Sequence, residues 1–275
     1  PNPATGQGPR LVTLGPGAKY SAQLDTLMPA VLPSTYRIIV RADIFDDIYE
    51  GANNANNATV SLDAVQVAVP PLTLNVPLAD EISKGEERLY RITVPRGQTL
   101  EFTLDSQNDA AANELYVRYQ ALPNSIFYDA AYSGHLQGDQ TARIASSQAG
   151  TYYVLARSTS GSARTPFTMT VRSLPFAIDD ITPDAGGDGR YVHMTITGAQ
   201  FDPSAIVKLV RPQFAEFEPV NYQVVDATTI VAYFDLRDAP HGLYDIEVIN
   251  PNGQIAVLPY RYLTEAKLPL DLTVG

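Results

Sequence analysis

The stretch Thr99-Leu-Glu-Phe-Thr-Leu104 alternates polar and apolar side chains at every position. Successive side chains of an extended strand point to opposite faces, so the three apolar residues share one face and the three polar residues share the other. These residues are Leu100, Phe102 and Leu104 on one face, and Thr99, Glu101 and Thr103 on the other. The pattern is typical of a half-buried strand in a β-sandwich.

Similar alternating runs recur along the chain, whereas apolar residues at helical spacing do not. The clearest runs are residues 36–42, 88–94, 151–157, 191–197 and 243–249. The sequence therefore predicts an all-β protein.

Two turns are predicted from proline and glycine. Asn250-Pro-Asn-Gly253 and Pro95-Arg-Gly-Gln98 each place proline where a turn needs its fixed φ, and glycine where a positive φ follows. We expect the strands on both sides of each turn to pair antiparallel.

Length and composition indicate several modules. At 275 residues the chain has room for two or three sandwiches of about 90 residues each. Val69-Pro-Pro-Leu72 and Leu174-Pro-Phe-Ala177 are predicted junctions, because proline stiffens a connection and removes a ladder donor. The prediction is an extended array of tandem β-sandwiches, immunoglobulin-like and jelly-roll-like.

The charge balance excludes several classes of partner. The chain has 19 Lys and Arg against 30 Asp and Glu, a formal net charge of -11, and no basic stripe that could neutralise a phosphate backbone. We therefore expect no nucleic-acid partner. Continuous apolar sequence long enough to cross a bilayer is also missing, so no membrane insertion is expected. The absence of cysteine removes disulfides and thiolate chemistry.

The first block resembles the closing strands of a CARDB-type domain, an immunoglobulin-like sandwich related to adhesion. The resemblance lies in Leu32-Pro-Ser-Thr-Tyr-Arg-Ile-Ile-Val-Arg-Ala-Asp43, Ile48-Tyr-Glu50 and Asn53-Asn-Ala-Asn-Asn57. It covers the last half of such a domain and implies that the opening strands are missing. An open edge of that kind is a template for another strand. We expect residues 10–67 to contact material outside these 275 residues, either a preceding part of a longer polypeptide or a neighbouring copy.

Residues 78–174 resemble the bacterial pre-peptidase C-terminal domain, which often follows a peptidase catalytic domain. The resemblance lies in Glu87-Arg-Leu-Tyr-Arg-Ile-Thr-Val-Pro-Arg-Gly-Gln-Thr-Leu100 and Gly150-Thr-Tyr-Tyr-Val154. Where the family has an acidic residue close to an aromatic pair, this sequence has Arg88 and Leu89 before a single Tyr90. The resemblance thus implies the sandwich and not a metal-related role for this turn.

Residues 178–263 are similar to an IPT/TIG domain, another immunoglobulin-like fold that mostly serves as a spacer or protein-contact module. The motifs are Ile181-Thr-Pro183, Gly186-Gly187, Thr195-Ile-Thr-Gly-Ala-Gln-Phe201 and Gly242-Leu-Tyr-Asp-Ile-Glu-Val-Ile-Asn-Pro-Asn-Gly253. The predicted organisation is a partial CARDB-like sandwich, a pre-peptidase-like sandwich, an IPT/TIG sandwich and a C-terminal tail or linker. Their respective ranges are 1–70, 71–175, 176–265 and 266–275.

Catalytic chemistry is not predicted. His135, His193 and His241 are the three histidines, and none has the spacing of a metal-binding pair. Ser133-Gly134-His135 has no G-x-S-x-G around it, so a nucleophile elbow is absent.

Calcium is the one cofactor that the sequence suggests. Asp43, Asp46, Asp47 and Glu50, followed by several asparagines, concentrate the oxygen ligands that Ca²⁺ prefers. The spacing is not that of an EF-hand, and the alternative is a solvated acidic turn with asparagines in turn geometry. The Asp184–Arg190 stretch poses the same alternatives between a cation site and an ordinary loop.

Tyrosines crowd the middle module. Tyr116, Tyr119, Tyr128 and Tyr132 are candidates for stacking on sugar rings or gripping a fibrous protein, and cross-strand aromatic pairing is the alternative. The adjacent Tyr152 and Tyr153 must point to opposite faces of one strand, so at most one of them faces the core.

The sequence as a whole predicts a non-enzymatic structural or interaction segment of a secreted or cell-surface bacterial protein, in a filament or adhesin-like assembly. An accessory region of a secreted hydrolase, and a carbohydrate- or matrix-binding module, are the alternatives. The chain opens at Pro1 without an export signal, so we expect a mature product or a fragment.

Overall fold

The fold is described from a computed structural model. It covers residues 19, 21, 23, 25–42, 44, 45, 47, 49, 57–160, 164–189 and 191–266. These residues form strands and turns without a helix, and they include no helix able to cross a membrane. The prediction of an all-β chain of tandem sandwiches is confirmed.

The described residues contain nineteen strands, which fall into three groups along the chain. The first is a hairpin of β1 (Ser34–Arg41) and β2 (Ala58–Val67). The second comprises β3 (Leu78–Ile82), β4 (Glu87–Val94), β5 (Thr99–Ser106), β6 (Asn113–Tyr119), β7 (Ala130–Ala131), β8 (Gln140–Ile144), β9 (Gly150–Ser158) and β10 (Thr165–Leu174). The third comprises β11 (Ala177–Thr182), β12 (Ala185–Gly187), β13 (Tyr191–Ala199), β14 (Ile206–Arg211), β15 (Ala215–Phe217), β16 (Asn221–Asp226), β17 (Thr229–Asp235), β18 (Gly242–Ile249) and β19 (Ile255–Glu265).

The central sandwich packs a β3-β10-β5-β8 sheet against a β4-β9-β6-β7 sheet. Leu100, Phe102 and Leu104 of β5 are at most 1% exposed, as their alternation predicts. Burying each of these side chains stabilises the fold by roughly 1.5–3 kcal/mol. Tyr152 is buried and Tyr153 lies on the outer face, which confirms that the two side chains point in opposite directions.

One predicted pairing is wrong. Gly97 has φ +86 in the turn at residues 95–98, but β4 and β5 belong to opposite sheets and do not pair with each other. The turn crosses from one sheet to the other because both strands have inward apolar faces that meet in one core. The turn at residues 250–253 does join an antiparallel pair, with Ile249 opposite Ile255 and Gly253 at φ +85.

The third group forms a second closed sandwich. A β11-β13-β17-β16 sheet packs against a β12-β19-β18-β14-β15 sheet. Its core includes Phe234, Tyr244 and Tyr262, which are all fully buried. The Tyr244 hydroxyl donates to the Pro240 carbonyl at 2.7 Å, and burial raises the pKa of this tyrosine.

Both predicted junctions are packed rather than free. Pro71 forms a parallel bridge with Arg91 of β4, and Leu72 inserts into the central core. At the other junction only two residues separate β10 from β11. The backbone N–H of Gln200 donates to Thr99 Oγ1 at 3.0 Å across this junction.

The β1–β2 hairpin has no core of its own. None of its strand residues is buried, and its exposed apolar side chains include Ile39 at 68% and Leu62 at 93%. A two-stranded hairpin is at best marginally stable alone in water.

Candidate functional site

The outer face of the β4-β9-β6-β7 sheet is the best-defined candidate site. Strand register arranges its side chains in four rows, of which three run across β4, β9 and β6 and one runs across β4 and β9 only. The rows are Thr93 and Thr151; Arg91, Tyr153 and Arg118; Leu89, Leu155 and Tyr116; and Glu87, Arg157 and Glu114. Each row has its own chemistry, so the face offers hydroxyl, cationic, apolar and mixed-charge bands side by side.

An aromatic cluster covers the apolar row. The ring of Tyr116 lies 5.7 Å from that of Tyr128 and 5.5 Å from that of Tyr132, centroid to centroid. Tyr116 is 5% exposed and Tyr128 is 46% exposed. Burial raises the pKa of Tyr116 strongly, and the neighbouring Glu114 carboxylate adds to that rise. Three of the four predicted tyrosines are thus brought together, mainly by packing on one another.

Tyr119 belongs to a different environment. It packs against the core beside Tyr152, at a ring-centroid distance of 5.2 Å. Its hydroxyl donates to the Ala149 carbonyl at 2.7 Å. The predicted set of four tyrosines therefore does not form one strip, since β6 points Tyr119 and Tyr116 to opposite sides.

A groove of about 470 Å³ lies where the hairpin region meets the central sandwich, beside Arg88. Two polar contacts lie in the walls of the groove, one between the N-terminal segment and the sandwich and one within the sandwich. Glu87 accepts a hydrogen bond from the Ala30 backbone N–H at 3.1 Å, and the Tyr90 hydroxyl donates to Asp80 at 2.7 Å. The pKa of Tyr90 is raised by burial and by the Asp80 carboxylate. The groove thus lies between the segments that flank the β1–β2 hairpin and the first strands of the central sandwich.

The predicted calcium ligands Asp43, Asp46 and Glu50 lie outside the described residues. Asp47 is described, and it lies in the connection between β1 and β2. Within the described part of the chain no group of three or more His, Asp or Glu side chains could hold a metal ion. Calcium binding at this connection stays a prediction.

The second stretch of candidate cation ligands has basic partners. Asp184 lies 3.8 Å from the Arg261 guanidinium, and Asp188 Oδ2 lies 2.6 Å from His241 Nε2. These partners occupy the carboxylates that a cation would need.

The three histidines are placed apart. His135 meets the edge of Tyr132, with ring centroids 5.6 Å apart, and His193 stacks on Tyr233 at 4.4 Å. His241 contacts Asp188. Ordinary aromatic packing and one surface hydrogen bond account for these contacts.

The cationic row of Arg91, Tyr153 and Arg118 was not predicted from the sequence. Alternation places Arg91 and Tyr153 on outer faces, but sequence alone does not show that β4, β9 and β6 are neighbours in that order. Strand order was the missing information.

The fold and this face define a modular β-sandwich protein whose polar and aromatic rows are displayed on sheet surfaces. Residues 86–158 match the family described as the bacterial pre-peptidase C-terminal domain, which confirms that resemblance for the central sandwich. The resemblances of the flanking parts to CARDB and IPT/TIG domains stay predictions. No curated protein matches this chain.

Several solved structures are similar to the chain at low identity. The pre-peptidase C-terminal domain of collagenase from Bacillus anthracis is 11% identical, with a TM-score of 0.32, over 38% of this chain and 94% of that domain. PliG, a periplasmic inhibitor of g-type lysozyme from Aeromonas hydrophila, is 14% identical, with a TM-score of 0.30, over 38% and 93%. The adhesin domain of Epf from Streptococcus pyogenes is 9% identical, with a TM-score of 0.27, over 70% and 78%.

Proposed function

We propose that this chain is a non-enzymatic structural and interaction segment of a secreted or cell-surface bacterial protein, and that it assembles through the β1–β2 hairpin. The exposed hairpin is the observation that carries the proposal. The matched pre-peptidase family supports the extracellular setting.

The hairpin has the properties of a strand donor. Ile38, Ile39 and Val40 of β1 are each at least 60% exposed, although consecutive residues point to opposite faces. Both faces of this strand are therefore apolar and bare. Covering them would release roughly 25 cal/mol for each Å² of apolar surface removed from water.

We assign a neighbouring copy of this chain as the occupant. In the third sandwich β16 is an edge strand, and its neighbourhood exposes Val220, Tyr222 and Val225. Strand β1 contains two arginines and no acid, whereas β16 contains one acid, Asp226, and no base. Apolar surface and charge therefore match between a hairpin and the β16 edge of the next copy, and strand addition to an open edge is a recurrent mode of recognition.

Such a contact joins two different surfaces of the chain. Contacts of this type generate rings if the rotation closes and open filaments if it does not. The proposed assembly is therefore an ordered polymer of sandwiches rather than a symmetric dimer.

The test is the mass of the full chain in solution as a function of concentration, followed by negative-stain micrographs. Ile39→Lys and Leu62→Lys should each reduce association, and so should Val225→Lys on the receiving edge. Leu243→Lys is the matched control, since Leu243 is an exposed apolar residue of β18, in the other sheet of the third sandwich. A wild-type chain that stays monomeric at all concentrations would reject a second copy as the partner.

The family match also favours a second candidate, an accessory region of a secreted hydrolase. Under this alternative the hairpin would pack on a preceding part of the same polypeptide. Peptidase activity of the full-length parent that disappears when upstream sequence is deleted would support it, while a parent without peptidase activity would argue against it.

A further inference from the structure

Arg91, Tyr153 and Arg118 lie directly opposite one another on β4, β9 and β6, and we call them the arginine row. Adjacent strands are about 4.8 Å apart, so the two arginine backbones flank that of Tyr153 at about 10 Å from each other. All three side chains are on the outer face of the sheet, since Tyr90, Ile92, Val117 and Val154 fill the inner face.

Neither arginine of the row has a carboxylate partner among the described residues. Arg91 Nε donates to the Val69 carbonyl at 3.3 Å, and Arg118 Nη1 donates to the Leu122 carbonyl at 3.2 Å. The Arg118 guanidinium also lies over the Phe127 ring, 5.5 Å from its centroid. Backbone carbonyls and a ring orient these groups without neutralising their charge.

The next charged row behaves differently. Arg157 pairs with Glu114 at 3.6 Å, and Glu87 accepts a hydrogen bond from the Ala30 backbone. Two uncompensated guanidiniums on one sheet face are unexpected in a chain of net charge -11. They create a local positive band that would attract an anion.

We propose that the arginine row binds an anionic polysaccharide whose sugar rings carry carboxylates. A guanidinium pairs with a carboxylate through two parallel hydrogen bonds. The ring of Tyr153 offers an apolar platform between the two arginines, with a polar hydroxyl at its end. The adjacent Thr93 and Thr151, whose hydroxyl oxygens lie 2.9 Å apart, supply donors and acceptors for sugar hydroxyls.

An acidic peptide fits this face less well. An extended peptide binds a sheet through main-chain hydrogen bonds at an open edge. Beside the arginine row that edge is occupied, because the Arg91 carbonyl accepts from the Leu72 N–H at 2.7 Å and the Arg91 N–H donates to the Pro70 carbonyl at 3.0 Å. What remains is a side-chain surface, which suits the flat, hydroxyl-rich ring of a sugar.

The test is calorimetric titration of the full chain with polygalacturonate at low salt. Binding is expected, and Arg91→Gln or Arg118→Gln should each weaken it by about tenfold, since each removes a charge-assisted hydrogen-bond pair. Arg91→Lys and Arg118→Lys keep the charge, lose the planar fork, and should fall between wild type and the Gln variants. Tyr153→Leu should weaken binding without changing the charge.

Arg157→Gln is the matched control, because Arg157 lies on the same strand and face as Tyr153 but already has a carboxylate partner. It should bind within about twofold of wild type. A melting curve for each variant shows that the sandwich is folded. Uncharged dextran should not bind, and polyglutamate should bind at least tenfold more weakly than polygalacturonate.

Three results would overturn the proposal. The first is no heat with wild-type protein at millimolar uronate. The second is an equal loss of binding in Arg157→Gln and Arg91→Gln. The third is equal affinity for polyglutamate and polygalacturonate, which would reduce the site to unspecific charge attraction. None of these results depends on whether the chain self-associates, so this proposal and the proposed assembly can fail separately.

Discussion

The side chain of Thr99 is completely buried because Gln200 of the next sandwich lies on it. Thr99 Oγ1 accepts the Gln200 backbone N–H at 3.0 Å and donates its own proton to the Ala145 carbonyl at 2.8 Å. The Gln200 side-chain amide also donates to the Leu174 carbonyl. One hydroxyl of the central sandwich is therefore part of the contact with the third.

Replacing this hydroxyl should loosen the junction. Thr99→Val keeps the shape of the side chain but leaves the Gln200 N–H and the Ala145 carbonyl without their partner. We expect a loss of about 1–3 kcal/mol in the free energy of unfolding. Calorimetry should also show the melting of the two sandwiches becoming less coupled.

Thr103→Val is the control for that substitution, because Thr103 is on the same face of β5 but away from the junction. It should change the unfolding free energy by less than about 0.5 kcal/mol. Equal destabilisation by the two variants would mean that the hydroxyl contact at Thr99 is unimportant.

The junction also contains an ion-pair network. The Arg143 guanidinium contacts Glu101 of its own sandwich at 2.9 Å and Asp179 of the third at 3.1 Å. A double-mutant cycle with Arg143→Ala and Asp179→Ala should give a coupling of about 0.2–1 kcal/mol that shrinks as salt is added. Arg164→Ala removes a pair within the central sandwich and should show no coupling to Asp179. Zero coupling at low salt would show that the Arg143–Asp179 pair does not contribute to the contact between the two sandwiches.

Acid should weaken the third sandwich through Asp180. Hydrogen bonds from Arg261 and then from the Ile181 backbone N–H lower the pKa of this carboxyl. A lowered folded-state pKa stabilises the fold above the unfolded pKa of about 4, and that stabilisation disappears as pH falls through the folded pKa.

Asp180→Asn should therefore lower the melting temperature at pH 7 and have little effect at the acid end of the titration. Melting curves from pH 7 down to about pH 2 would show the melting temperatures of Asp180→Asn and the wild type converging. Asp105→Asn is the control, since Asp105 is exposed and has no ion pair within the described residues. Parallel curves for Asp180→Asn and wild type down to the lowest pH would contradict the expectation.

Gly198 allows two strands of the third sandwich to approach closely. A Cβ at this position would lie 2.2 Å from the Ala177 carbonyl oxygen and 2.5 Å from the ring of Phe201. Gly198→Ala should cost about 1–3 kcal/mol, because the backbone of β11 and a buried ring would both have to shift. Chemical denaturation measures this loss.

Gly253 is the contrasting position. It has φ +85 and open space around it, so Gly253→Asn should cost only a few tenths of a kcal/mol, since asparagine tolerates this conformation. If both glycine variants were equally stable, the close approach at Gly198 would not matter.

Alternation was enough to predict the strands and their inward faces, because the period of side-chain direction is a property of each strand alone. It placed Thr99 on the correct, outer face of β5 but did not predict that this side chain is buried. The reason is that burial there comes from Gln200, 101 residues away. The turn at residues 95–98 was misread for a similar reason, since local chemistry fixes a turn but not the sheet that the next strand joins.

The candidate site was likewise predictable from the sequence only in part. The tyrosines of the middle module were visible in the sequence, and three of them do meet, but the arginine row depends on the order of β4, β9 and β6. The calcium ligands outside the described residues stay a prediction.

The two-residue connection between β10 and β11 determines how the protein would respond to mechanical tension. A pull along the chain loads β10 lengthwise. This strand is hydrogen-bonded to a neighbouring strand on each side, so many backbone hydrogen bonds resist the pull at once. The strand just beyond Pro175–Phe176 has one neighbour in its sheet. The first strand of the central sandwich, β3, also has one neighbour, and the last strand of the third sandwich, β19, has two. Each sandwich therefore meets a pull with one edge strand and one interior strand, and the short connection passes the load directly from one sandwich to the next.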